Sequence, residues 1–156
     1  MNSQFEDGSG RFTAVLDDIL VSQNVQRIAR VAACGARELL KADGITFVIR
    51  EEDLCHYFDE EAISPLWKGL RFPLKSCISG WVMEHHTPVI IPDIRLDDRI
   101  PQDAYRPTFV RSLAMVPIRN HVVVGAIGAY WATEHVATKR EIGMLVAISS
   151  TTAAVL

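Results

Sequence analysis

Three sets of side chains in this chain could do chemistry, and each would need a different arrangement. Cys34, Cys55 and Cys77 are the thiols. Thiol chemistry requires a thiolate with a resolving partner beside it, and these three share no pairwise motif spacing. Their odd number is what a reducing compartment tolerates, so the cytoplasm is the expected location. His85-His86 are adjacent imidazoles, with His56, His121 and His135 apart from them in sequence. Neighbours on a helix point about 100° apart and cannot grip one ion as an i, i+4 pair does, so no metal site is expected. The third set is the polar run from 93 to 111, carrying Asp93, Arg95, Asp97, Asp98, Arg99, Asp103, Tyr105, Arg106 and Arg111. Carboxylates, guanidinium groups and a phenol of this kind could fix a small ligand inside a mostly apolar pocket.

The elements flanking that run must position it. Residues 72–74 are extended, and over 77–84 the apolar residues Ile78, Trp81 and Val82 recur at the spacing of one helical face. Thr87-Pro88 stops the helix, because proline has no amide proton and biases the residue before it out of the α region. Residues 89–91 read as a short buried strand and 112–118 as a second. The polar run is therefore a long excursion between two strands of one sheet, broken by Pro101 and Pro107. Such an excursion in a compact domain is usually functional, as a lid or the wall of a pocket.

Residues 1–11 are polar with glycine and serine and read as a flexible leader. A first helix covers 12–21, with Val15, Leu16, Ile19 and Leu20 on one side. Ser22 and Asn24 are caps for a second helix over 25–41, which Asp43-Gly44 is expected to end, glycine taking the left-handed conformation. Residues 45–49 and 54–58 form a hairpin although Glu51, Glu52 and Asp53 supply no glycine for a primed turn. After a polar turn at 119–121, residues 122–131 are the longest apolar strand. Its Gly125 and Gly128 allow a bulge or a close approach. Residues 140–156 are a closing helix, with Leu145, Ile148, Thr152 and Val155 at a heptad step and no terminal cap, so it reads as an interrupted connector to an effector.

This order gives a mainly antiparallel sheet with helices packed on it, an α+β domain spanning 12–156. At 156 residues, 49% of them hydrophobic, the chain can bury its own core without disulfides or metal. A net charge of −3 and a pI near 5.9 argue against a nucleic-acid surface, which would show a basic stripe. No signal peptide or apolar run of membrane-spanning length is present, so this segment is not expected to contact a membrane.

With the strands placed, the chain resembles the GAF domain family from about residue 12 onward. The likeness rests on "ADGITFVIREED", "ISGWVMEHHTPVIIPDI", "DDRI", "SLAMVPI" and "VVVGAIGAYW" in that order, followed by the closing helix. The stretch from Cys77 to Ile118 looks especially like GAF domains at the N-terminal side of bacterial sensor histidine kinases. The resemblance implies a six-stranded antiparallel sheet with helices on one face and a small-molecule pocket, built from the loop and the small helix, on the other. It also implies a homodimer through the terminal helices, a C-terminal kinase or other effector, and no catalysis by the domain itself.

Three chemistries of relatives are disfavoured by departures from their motifs. Methionine sulfoxide-reducing relatives place one cysteine where this chain has Ser79 and another near Tyr105 or Arg106. Bilin-binding relatives hold a Cys-His pair in the pocket loop, whereas Cys55-His56 lies on an early strand. Cyclic-nucleotide binders carry an Asn-Lys pair after the last strand, where this chain has Trp131-Ala132. What remains is a reversible pocket whose expected contacts are Phe72, Cys77, Trp81, Asp93, Tyr105, Arg106, Arg111, Met115 and Trp131. Core packing is the competing reading for each aromatic, and an ion pair with Asp93, Asp97 or Asp103 for the two arginines. A ligand-free dimerisation module is the competing function.

Overall fold

Alternation along the strands decides which residues face which layer. The structure, a computed structural model, describes residues 3–156, with side chains described from residue 8. Strands β1 (Gly44–Glu51), β2 (Leu54–Ala62), β3 (Arg71–Pro73), β4 (Val89–Ile91), β5 (Ser112–Arg119) and β6 (Val123–Trp131) form one antiparallel sheet, in the order β3-β2-β1-β6-β5-β4. In β1, Ile45 and Phe47 face one layer and Val48 the other; in β5, Ala114 and Val116 oppose Leu113 and Met115. Both faces are buried, which is why these strands read as continuous apolar runs rather than as clean alternation.

One face is covered by α1 (Ser3–Leu20), α2 (Val25–Leu40) and α5 (Lys139–Val155). Ala29, Ala32, Ala33 and Ala36 of α2 are small enough to bring the helix close to the sheet, and all are buried. Asn24 caps α2 as expected, its Oδ1 accepting the Arg27 amide at 2.9 Å. At the other end the expectation is corrected. Lys41, not Gly44, takes the left-handed conformation (φ 51°) and donates to the carbonyls of Arg37 and Glu38. Gly44 instead opens β1, where a Cβ would lie 2.9 Å from Phe109 Cζ and 3.1 Å from the Ala62 Cβ.

Two boundaries also move. Helix α1 begins at Ser3, so most of the stretch expected as a leader is helical, while residues 1 and 2 lie outside the described residues. In α5, Leu145, Ile148 and Thr152 are buried in the domain's own core, so the face read as a heptad seam packs on β5, α1 and α2 instead. The hairpin at 52–53 forms without glycine, Glu52 itself adopting φ 56°.

The other face carries α3 (Ile78–His85), α4 (Gln102–Tyr105) and the excursion between β4 and β5. A bulge at Phe58 sets what β2 contributes. Cys55 and Tyr57 point into this second core, but the extra residue turns Asp59 toward the helices, where Arg30 of α2 holds it at 3.4 Å.

Candidate functional site

The second core is an aromatic box beneath a roof. Tyr57 on β2, Trp67 in the loop after it, Phe72 on β3, Tyr105 on α4 and Tyr130 on β6 converge there. Trp67 lies at 4.6 Å from Tyr105, 5.5 Å from Tyr57 and 5.6 Å from Tyr130 between ring centroids. Tyr57 and Phe72 meet edge to face at 5.5 Å. Each ring has a local reason for its place. Trp67 is fixed by the Glu60 carboxylate, which accepts the amides of Leu66, Trp67 and Lys68 at 2.7–2.8 Å, and its Nε1 donates to the Ala104 carbonyl at 3.0 Å. Tyr130 has room because Gly128 lies beside it, where a Cβ would sit 2.7 Å from the Tyr130 hydroxyl. That hydroxyl bonds Thr46 Oγ1 at 2.9 Å.

The roof is held from below by apolar anchors, Ile94, Ile100, Tyr105 and Val110, all buried. Its charges pair largely among themselves. The Arg95 guanidinium and amide, with Arg111 beside them, hold the Asp93 carboxyl well below the usual carboxylate range. Asp97 pairs with Arg99 and Asp103 with Arg106. Arg111 also reaches Glu134 at 2.8 Å. Arg99 lies over the Trp81 ring at 4.3 Å, tying the roof to α3.

What remains between the rings is a cavity of about 10 Å³ lined by Tyr57, Trp67, Phe72, Cys77, Pro101, Ala104 and Tyr105. That is room for about one water. Two polar groups face this core. The Tyr105 hydroxyl is buried toward Tyr130 without an aligned hydrogen-bond partner. Cys77 lies 3.3 Å from Ser79 Oγ, which in turn is 3.1 Å from the Tyr57 hydroxyl. Burial pushes the phenols of Tyr57, Tyr105 and Tyr130 up, so all three stay protonated and act as neutral donors. Larger concavities lie on the helix side, such as an open groove of about 350 Å³ lined by Arg11, Arg27, Arg30 and Cys34. They are surface clefts in which Arg30 already pairs with Asp59 and Glu61.

Of the residues expected from sequence, the structure brings Phe72, Cys77 and Tyr105 to the cavity and places Met115 in the floor beneath it. Asp93 and Arg111 sit in the roof but are paired with each other. Trp81 stacks on His85 at 4.1 Å and bears Arg99, outside the cavity. Two placements are corrected. Arg106 points outward to Asp103, and Trp131 faces the helix-side core against His135, because it lies one step from Tyr130 on β6. Tyr57, Trp67 and Tyr130 were missed. The i, i+2 pair Cys55 and Tyr57 was the available signal for the first; Trp67 lies in a loop, where no period exists to reveal it.

Three comparisons follow from the sequence and this geometry. The model of the GAF domain family matches residues 24–156. No curated protein sequence matches the chain. Among solved structures, the GAF domain of an Acinetobacter phosphoenolpyruvate-protein phosphotransferase superposes with a TM-score of 0.82 at 14% identity, covering 99% of this chain and 93% of that one. The corresponding domain from Coxiella burnetii gives 0.84 at 16% identity, covering 94% and 90%. The free methionine-R-sulfoxide reductase from Neisseria meningitidis gives 0.74 at 13% identity, covering 92% and 87%. At these identities the likeness is one of fold, and it does not single out histidine-kinase sensors.

Proposed function

The chain belongs to the GAF domain family of regulatory sensor domains in signalling proteins, and from that premise we propose that it is the sensory module of a larger cytoplasmic signalling protein. The cavity beneath the 93–111 roof receives a small, largely aromatic or apolar molecule with one polar group. A sensor histidine kinase is the effector, reached through the terminal helices of a homodimer. The observation that carries this reading is the Tyr105 hydroxyl, buried without an aligned partner inside an aromatic box. A hydroxyl in that state costs about 1–3 kcal/mol, a cost that an incoming hydrogen-bonding group would remove. The roof is built to move, since its ion pairs are mainly internal and travel with it, while its attachment to the sheet is apolar.

A thermal-shift screen of nucleotides, amino acids and aromatic acids tests it. A ligand at 100 times its Kd stabilises by about 2.7 kcal/mol, and Tyr105→Phe should weaken that shift selectively. A dimerisation module without a ligand is the second reading, favoured by the small free volume at the centre of the box. An unresponsive protein that sediments as a dimer would select it.

A further inference from the structure

Cys55 on β2 and Cys77 at the start of α3 bring two free thiols into hydrogen-bond contact inside the second core. They meet because β3 pairs Phe72 with Cys55, and the 3-10 turn Leu74–Ser76 then brings the chain back over the strand. The two thiols are not equivalent. Cys55 is 0% exposed, and the contact with Cys77 together with burial pushes its thiol far up. Cys77 is 7% exposed and lines the cavity. The Cys55 thiol donates to its sulfur, and the Ser79 hydroxyl and the amides of Ser79 and Gly80 add to that at the first turn of α3. Together they outweigh desolvation and lower Cys77 to about 7.

We propose that Cys55 and Cys77 are a dithiol redox site, oxidised by a small hydroperoxide to an intramolecular disulfide. The Cys77 thiolate attacks one peroxide oxygen, so that an S–O bond forms and the O–O bond breaks. The departing oxygen takes a proton from solvent and leaves as an alcohol, or as water when the oxidant is hydrogen peroxide. Cys55 sulfur then attacks the sulfenic sulfur; the S–S bond forms, the S–O bond breaks, and hydroxide leaves with the Cys55 proton as water. Two electrons pass from the thiols to the hydroperoxide, and a dithiol reductant returns them. The small cavity admits only the smallest oxidants. The bond would tie β2 to the first turn of α3. This site stands apart from reversible ligand binding and does not rest on it.

The test uses the chain with Cys34→Ser, which removes the exposed thiol. Hydrogen peroxide is added, thiols are counted after denaturation, and peptide mapping locates any crosslink. Both remaining thiols should disappear together, with a peptide linking 55 to 77, and dithiothreitol should restore both. With Cys55→Ser added, the reaction should stop at a sulfenic acid on Cys77, trapped by dimedone. The groups facing the pair are Ser79, Tyr57 and Arg50, and the rate should rise through about pH 7. Crosslink mapping on the native sequence decides the matter if Cys55→Ser does not fold. Thiols lost independently, over-oxidation without a crosslink, or Cys77 reacting no faster than free cysteine at pH 7 would each overturn the proposal.

Discussion

Replacing Tyr105 by phenylalanine should make this protein more stable, against the usual direction of a core substitution. The ring stays, with its 4.6 Å contact to Trp67, and only the oxygen goes. That oxygen is buried with no aligned partner, while the Tyr130 hydroxyl beside it keeps its bond to Thr46. Removing an unsatisfied buried hydroxyl recovers about 1–3 kcal/mol. Because the adjacent cavity has room for about one water, the low end applies, about 1 kcal/mol, or roughly 2–4 °C in Tm for a domain of this size. Calorimetry on wild type and Tyr105→Phe measures it. Tyr57→Phe is the control with the opposite sign: it breaks a 3.1 Å bond to Ser79 and should cost about 1 kcal/mol. A Tyr105→Phe protein destabilised as much as the control would refute the reasoning, because the two phenols would then share a true hydrogen bond and the box would hold no unmet polar group.

Gly80→Ala should cost about 3 kcal/mol or more, since its Cβ would fall 1.7 Å from the Leu74 carbonyl oxygen, a backbone atom that cannot swing aside; the urea midpoint should drop sharply or the chain should fail to fold. Glu60→Ala removes the acceptor of three amides at 66–68, and hydrogen exchange should accelerate at those amides and at the Trp67 indole ahead of the sheet. Asp93 supplies the pH prediction. Its folded pKa lies below the unfolded value of about 3.9, chiefly through Arg95, so its contribution is present above that value and is lost as pH falls through the folded pKa. Asp93→Asn should therefore flatten the loss of stability below about pH 4 and leave the slope above pH 5 unchanged.

The site was less legible than the fold, and particular residues explain why. Cys77 and Tyr105 were reached because they flank recognisable elements, the small helix and the polar excursion. Trp131 was read into the pocket for its size, yet β6 is buried on both faces and no polar residue marks which side is which. Lys41 took the helix-ending role expected of Gly44 because φ near 50° costs an ordinary residue little enough for packing to override. The 93–111 charges were legible as a group, but their pairing within the roof depends on turns that fold Arg95 onto Asp93 and Arg99 onto Asp97.

By itself the sequence determined the elements and their order, since helical and strand periodicities, prolines and caps are local signals carried by neighbouring residues. Only the tertiary structure decided that Cys55 meets Cys77, that five aromatic rings from five segments close on one cavity, and that the tail helix spends its apolar face on this domain's own core. Those facts depend on strand register, where one bulged residue at Phe58 redirects the side chains after it, and on loops that have no period to read.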